Sequence, residues 1–232
     1  MPKKESVRKM FDDIAPGYDR LNHILSLDVD RSWRRKAVRA TVGPGVLSVL
    51  DVACGTGDTA IAVAKALPEG GTVTGVDISE GMMALVKDKA IKAGVESRIR
   101  TETADGEDLP YEDCSFDRVT CSFGIRNFEH KELGLREFRR VLKDGGKAVI
   151  LELSLPRNAV VRFFYDLYFL HVLPFVGGLV SGRKSAYRYL PSSVHTFPKE
   201  KEFMEMMQEA GFCNVRSRSF SFGLCRMFTG ER

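Results

Sequence analysis

The 232-residue sequence predicts a doubly wound α/β sheet. Apolar runs of strand-forming type alternate with helical stretches between residues 46 and 153. A glycine turn, Gly55-Thr56-Gly57, lies between the first run and the first helix, where the backbone can bend sharply and approach a ligand. Asp51, Asp77 and Asp105 stand at the ends of three successive runs, and open parallel sheets bind ligands outside the carboxyl ends of their strands.

Residues 6–40 read as helical, with Met10, Phe11, Ile14, Trp33 and Val38 at broken helical spacing around Pro16-Gly17. The cluster Tyr18-Asp19-Arg20-Leu21-Asn22 suits either the start of a second helix or a substrate-binding group. The first strand spans 46–52, and an alanine-rich helix follows at 59–67. The second strand spans 72–77, and Ser79 can cap a helix whose contacts come from Met82, Met83, Leu85 and Val86. The third strand spans 99–104, closed by Asp105-Gly106-Glu107. The fourth, 116–122, runs into Ser122-Phe123-Gly124-Ile125-Arg126-Asn127, placing Arg126 and Asn127 on the ligand edge. A helix at 128–142 stops at Lys143-Asp144-Gly145-Gly146, and the fifth strand covers 147–153.

Residues 155–197 break this alternation. The segment 159–180 approaches the length of a membrane span, but Arg162, Asp166, His171, Pro174 and Gly177-Gly178 argue against one. It reads as a helical lid whose apolar face meets a greasy substrate or a bilayer surface, or as ordinary core. A mobile lid would hinge at Gly177 and Gly178. Pro198 opens a helix ended by Gly211, and 214–220 with 223–229 predict a closing hairpin at an antiparallel edge. The expected organisation is one domain, 1–232: N-terminal helices (1–45), a cofactor core (46–154), a lid insertion (155–197), and a C-terminal helix and strands (198–232).

Two ligands suit the cradle formed by Asp51, Gly55, Thr56 and Gly57 with the N-terminus of the following helix. Gly55 to Ala60 matches a dinucleotide fingerprint, with Asp77 about 20 residues on. Asp51 and Asp58 flank the turn, however, and would repel a pyrophosphate. S-adenosylmethionine has the ribose and adenine, carries positive charge, and has no phosphate. A net charge of +4 is too mild to imply nucleic acid. Five cysteines without metal spacing, behind an N-terminus lacking an apolar core, predict a reducing cytoplasm.

LDVACGTGD, the Asp77 and Asp105 strand ends and RVLKDGGKAVILELS resemble the class I S-adenosylmethionine-dependent methyltransferases, with their Rossmann-like sheet. YDRLNHILSL, SFGIRN, LELS and YRYLPSSVHTFP resemble, more narrowly, the quinone C-methyltransferases of menaquinone and ubiquinone synthesis. Cys54 departs from that family's usual glycine. The resemblance implies cofactor contacts at Thr56, Asp77, Asp105, Gly106 and Ser122. Chemically, Asp77 suits the ribose hydroxyls and Asp105 the adenine amino group. It further implies a prenylated quinol substrate, with demethylmenaquinol favoured over a benzoquinol, and no metal requirement. On this reading Arg126, Asn127, Tyr187 and Tyr189 grip the quinol oxygens, and Asp19 is a candidate proton acceptor. The alternative outside catalysis is a cofactor-binding subunit without turnover. A peripheral membrane contact and a homo-oligomer are further expectations, with no nucleic-acid partner.

Overall fold

The structure, a computed structural model, describes residues 4–19, 22, 26, 28–168 and 184–232, with side chains from 189 onward in the last span. The expected hinge glycines 177 and 178 lie outside the described residues, as does the side chain of Tyr187.

Seven strands form one sheet in the order β3-β2-β1-β4-β5-β7-β6. These are β1 (Ser48–Val52), β2 (Thr72–Asp77), β3 (Ile99–Thr103), β4 (Phe116–Ser122), β5 (Leu142–Leu153), β6 (Cys213–Phe220) and β7 (Cys225–Glu231). β1 to β5 pair in parallel, while β7 runs antiparallel between β5 and the outermost strand β6. Strand order reverses between β1 and β4, so the carboxyl ends of these two strands flank the crevice in which such sheets hold ligands.

Helices cover both faces. Their ranges are α1 (Lys4–Ile14), α2 (Val29–Thr41), α3 (Asp58–Ala66), α4 (Glu80–Met83), α5 (Val86–Ala93), α6 (Lys131–Val141), α7 (Ala159–Leu167), α8 (Lys184–Thr196) and α9 (Glu200–Glu209). Alternate residues of one strand serve opposite faces. Leu50 and Val52 of β1 pack with Phe138 of α6, Phe203 of α9 and Phe228 of β7, while Val49 packs with Ala60, Val63 and Ala64 of α3. Trp33 and Ala37 of α2 cover Val149, Leu151 and Met227. Phe138, Phe203 and Phe228 are fully buried, and each such side chain contributes about 1.5–3 kcal/mol of burial.

Among the predicted boundaries that move, the first strand begins at Ser48 and the fifth at Leu142, not at 46 and 147, and three others have a clear local reason. The helix expected from residue 128 begins at Lys131, because Phe128 is extended and its ring fills the space over Gly106 and Gly134. A Cβ at either glycine would come within 2.4–2.5 Å of that ring. The last strand starts at Cys225, not 223, because positive φ at Ser221, Phe222 and Gly223 makes a turn there. The helix after Ser79 is interrupted between Met83 and Val86, and Ser79 Oγ does accept the Met82 amide at 3.2 Å. Part of the apolar insertion faces outward: Val160, Phe163, Phe164 and Leu167 of α7 are exposed, and only Tyr165 of that helix is buried.

Candidate active site

At the carboxyl end of β1 the chain turns through Ala53-Cys54-Gly55-Thr56-Gly57 into α3. Gly57 has φ +84°, and a Cβ there would stand 2.8 Å from Val86, so only glycine fits the turn. Asp77 ties this turn to β2: Oδ2 accepts the Gly55 amide at 2.8 Å and Oδ1 the Ser79 amide at 2.9 Å. Burial still pushes the Asp77 carboxyl above its ordinary value, with these amides pulling the other way. Asp51 is deeper. It is 1 % exposed and sits opposite Thr120 of β4 in register. Neither of its oxygens has a hydrogen bond of ordinary geometry among the described residues. Burial pushes Asp51 up to about 8, against the pull of Arg34 and the Ala60 amide. The hydroxyls of Thr120 and Ser122 are likewise buried without partners there.

The N-terminal segment crosses these strand ends in chain order. Lys4 pairs with Asp105 beyond β3. Asp12 accepts from Ser79 Oγ at 2.6 Å and from the Gly81 amide at 3.1 Å, beyond β2. Asp19 accepts from Thr56 Oγ1 on the β1 turn and from Lys89 Nζ, both at 2.5 Å. Lys89 also reaches Asp58 at 2.6 Å. Arg34 of α2 meets Asp30 at 3.1 Å and Thr59 at 3.2 Å.

Past β4, a 3₁₀ turn, Ile125–Asn127, presents Arg126 and Asn127. Arg126 is buried, and its Nη1 donates to Glu152 Oε1 of β5 at 2.9 Å and to the Phe123 carbonyl. Burial opposes its charge, but Glu152, Tyr18 and Tyr189 outweigh that and hold the guanidinium above its ordinary value. Tyr189 donates to Asn127 Oδ1 at 2.9 Å. Burial raises the hydroxyls of Tyr18, Tyr165 and Tyr189, and Arg126 lowers each in part.

One cavity of about 540 Å³ joins the two ends. Of the residues expected from sequence, Gly55, Thr56, Asp77, Asp105, Gly106 and Ser122 line it. So do Asp19, Arg126 and Asn127. Asp51 and Gly57 lie behind the lining, and Tyr189 reaches it through Asn127. Asp19, expected near the quinol oxygens, is instead engaged at the glycine turn by Thr56 and Lys89. Sequence reasoning missed Glu152, Lys89, Arg34 and Tyr165. Glu152 was within reach of the strand-end rule already applied to the other three acids. Lys89 and Arg34 carried no signal, being ordinary helix-surface cations in sequence. Acidic side chains, Asp58, Asp77 and Asp105, line the cavity around the glycine turn and suit a cationic nucleoside ligand better than a phosphate.

The model of the ubiE/COQ5 methyltransferase family matches residues 1–232. The chain belongs to the ubiE/COQ5 methyltransferase family. The ubiquinone/menaquinone biosynthesis C-methyltransferase UbiE of Geobacter sulfurreducens is 48% identical over 230 residues, covering 99% of this chain and 90% of that protein. The demethylmenaquinone methyltransferase of Bacteroides fragilis is 43% identical over 231 residues, covering 99% and 94%. Among solved structures, the [4+2]-cyclase SpnF superposes with a TM-score of 0.73 at 19% identity, over 100% of this chain and 97% of that one. A Thermotoga maritima S-adenosylmethionine-dependent methyltransferase gives 0.66 at 19%, over 96% and 98%. These two show the shared fold. As a ubiE/COQ5 family member, the chain is an S-adenosylmethionine-dependent methyltransferase acting in quinone biosynthesis.

Proposed function

We propose that this chain, acting as one methyltransferase domain, C-methylates a prenylated quinol, with demethylmenaquinol as its substrate. The carrying observation is the placement of Arg126 and Asn127 in the same cavity as the glycine turn, among Tyr18, Tyr165 and Phe164. One polar grip inside an aromatic wall suits a ring with ionisable oxygens and an apolar tail. S-adenosylmethionine, when bound, supplies an electrophilic methyl group. Asp77 is assigned to its ribose hydroxyls, Asp105 to its adenine and Ser122 to the methionine end. Asp51, Gly55, Thr56, Gly57 and Gly106 shape that cradle.

Arg126 stays protonated at any working pH, so its part is electrostatic: it lowers the pKa of a quinol oxygen and stabilises the phenolate. The phenolate, its proton released to solvent, pushes electron density to the neighbouring ring carbon, which would take the methyl group as S-adenosylhomocysteine leaves and then lose its own proton to solvent. Asn127, held by Tyr189, orients the second oxygen. Tyr187 remains a candidate for the same role. Asp19 is better assigned to holding Thr56 than to accepting the quinol proton, given its two partners at the turn.

The exposed face of α7, Val160, Phe163, Phe164 and Leu167, supports a peripheral membrane contact for a substrate with a prenyl tail. No helix of the described residues is long and apolar enough to cross a membrane. The same face would serve a homo-oligomer, which light scattering distinguishes from lipid binding. A benzoquinol is the second reading, because relatives at 44–48% identity carry both quinones in their names. The decisive assay offers purified protein labelled S-adenosylmethionine with each prenylated quinol, followed by mass spectrometry of the ring. Methyl transfer to demethylmenaquinol is expected. Tight cofactor binding without transfer to either quinol would return the chain to a non-catalytic subunit.

A further inference from the structure

Among the acids at the ligand edge of the sheet, Glu152 is one that no cofactor role absorbs. It lies near the end of β5, is fully buried, and faces the α6 side of the sheet beside Arg226 of β7 in register. Arg226 does not serve it: Arg226 Nη1 pairs with Glu200 at 2.8 Å. Instead Glu152 grips Arg126 twice. Its Oε1 accepts Arg126 Nη1 at 2.9 Å, and its Oε2 accepts the Arg126 main-chain amide at 3.1 Å. The Leu153 amide, donating to Oε1 at 2.8 Å, fixes the carboxylate in turn. Side chain and backbone of one residue are thus clamped by one buried carboxylate, anchored on β5, an interior strand of the sheet. Arg126 Nε is buried and has no hydrogen-bond partner among the described residues.

We propose that Glu152 is a positioning residue for methyl transfer: it sets the direction of the Arg126 guanidinium toward the cavity and thereby the acidity of the substrate oxygen bound there. This rests on the reading of Arg126 given above. A buried arginine needs a countercharge, and a single ion pair would supply it. The second bond, to the Arg126 amide, adds nothing to charge balance and fixes the 3₁₀ turn that carries the guanidinium. Rigid support of this kind decides whether an electrostatic group is aimed at the charge that develops. The other titratable groups around the pair are Tyr18 from the N-terminal segment, Tyr165 of α7, Tyr189 of α8 and Lys131 of α6, with Cys121 and Cys225 beneath. Burial lowers Lys131 from its ordinary value, while Glu152 draws it back up.

The test compares E152D, E152Q, R126A and R126A/E152Q in quinol turnover, cofactor affinity by calorimetry and the pH profile of kcat. E152D keeps the charge but withdraws the carboxylate by one methylene, so it cannot hold Nη1 and the amide together. Its kcat is expected to fall about tenfold or more, short of the ~10²–10³ lost with an outright oxyanion donor. Its quinol KM should change less than about threefold and its cofactor affinity not at all, because only the transition-state interaction is touched. The acid limb of the kcat profile should move to higher pH, since a misaimed guanidinium acidifies the quinol less. R126A/E152Q should turn over no more slowly than R126A, as expected of two groups acting as one unit. Near-normal kcat with an unshifted profile in E152D overturns the proposal, as does a further multiplicative loss in the double variant. E152Q leaves a buried uncompensated charge. If it does not fold, E152D and the double variant decide alone. Full activity in R126A would instead refute the function assigned to Arg126, which separates the two failures.

Discussion

The two ends of the cavity are built from different electrostatics. At the cofactor end, carboxylates and cations meet at partly exposed sites: the side chains of Lys89 and Asp19 are 26% and 29% exposed, and Lys4 and Asp105 41% and 28%. At the ring end, the Arg126 and Glu152 side chains are 5% and 0% exposed, among tyrosines. Exposed pairs contribute little and exchange readily with a ligand or with salt. A buried pair is costly to assemble and costlier to break. On the proposed assignment the difference matches the traffic: a cofactor would enter and leave with each turnover past the exposed pairs, whereas a grip on ring oxygens would hold one geometry throughout.

Breaking the ring end should have the largest effect. Arg126→Ala is expected to lower turnover about a hundredfold or more, with cofactor affinity barely moved, measured by kinetics beside calorimetry. It should also destabilise the protein by about 3–5 kcal/mol, because Glu152 is left buried and unpaired. Equal loss of cofactor affinity would erase the distinction between the two ends. At the cofactor end, Asp77→Ala should cost about 1.5–3 kcal/mol in S-adenosylmethionine binding, the value of a charged acceptor. That measurement belongs on folded protein, since Asp77 also holds the Gly55 and Ser79 amides.

A smaller effect concerns Asp51. The folded chain keeps its proton up to about pH 8, whereas the unfolded chain releases it near the ordinary aspartate value of about 4. The folded state therefore binds more protons across that interval, and stability falls as pH rises through it. Asp51→Asn should flatten this slope in denaturant unfolding measured from pH 5 to 8. An unchanged slope would place the buried charge elsewhere. Smallest of all, Lys89→Ala and Lys4→Ala should each alter stability by less than about 1 kcal/mol. Both should slow cofactor release in stopped-flow at low ionic strength, because the freed carboxylates attract a cationic ligand. That change should vanish at about 1 M salt, where the Debye length is about 3 Å.

The succession of strands and helices along the chain, the glycine turn and the acids at strand ends were legible in the chain itself. Period-2 and period-3.6 patterns and the left-handed conformation of Gly57 are local properties, and local sequence specifies them. Asp77, Asp105, Arg126 and Asn127 were placed at the ligand edge by position, because a parallel sheet sends all its carboxyl ends to one edge, whereas Ser122 was implied by the family resemblance. Pairings between elements distant in the chain were decided only by the tertiary structure. Glu152 grips a residue 26 positions away, and Lys89 reaches Asp19 across 70. Nothing in either residue's neighbours announces such a partner, since a charged side chain in sequence looks the same whether it meets water or a buried counterion. Asp51 shows the same division. The sequence placed it at the end of a strand, and only the packing of α2 and α3 over the sheet deprived it of water and raised its proton affinity.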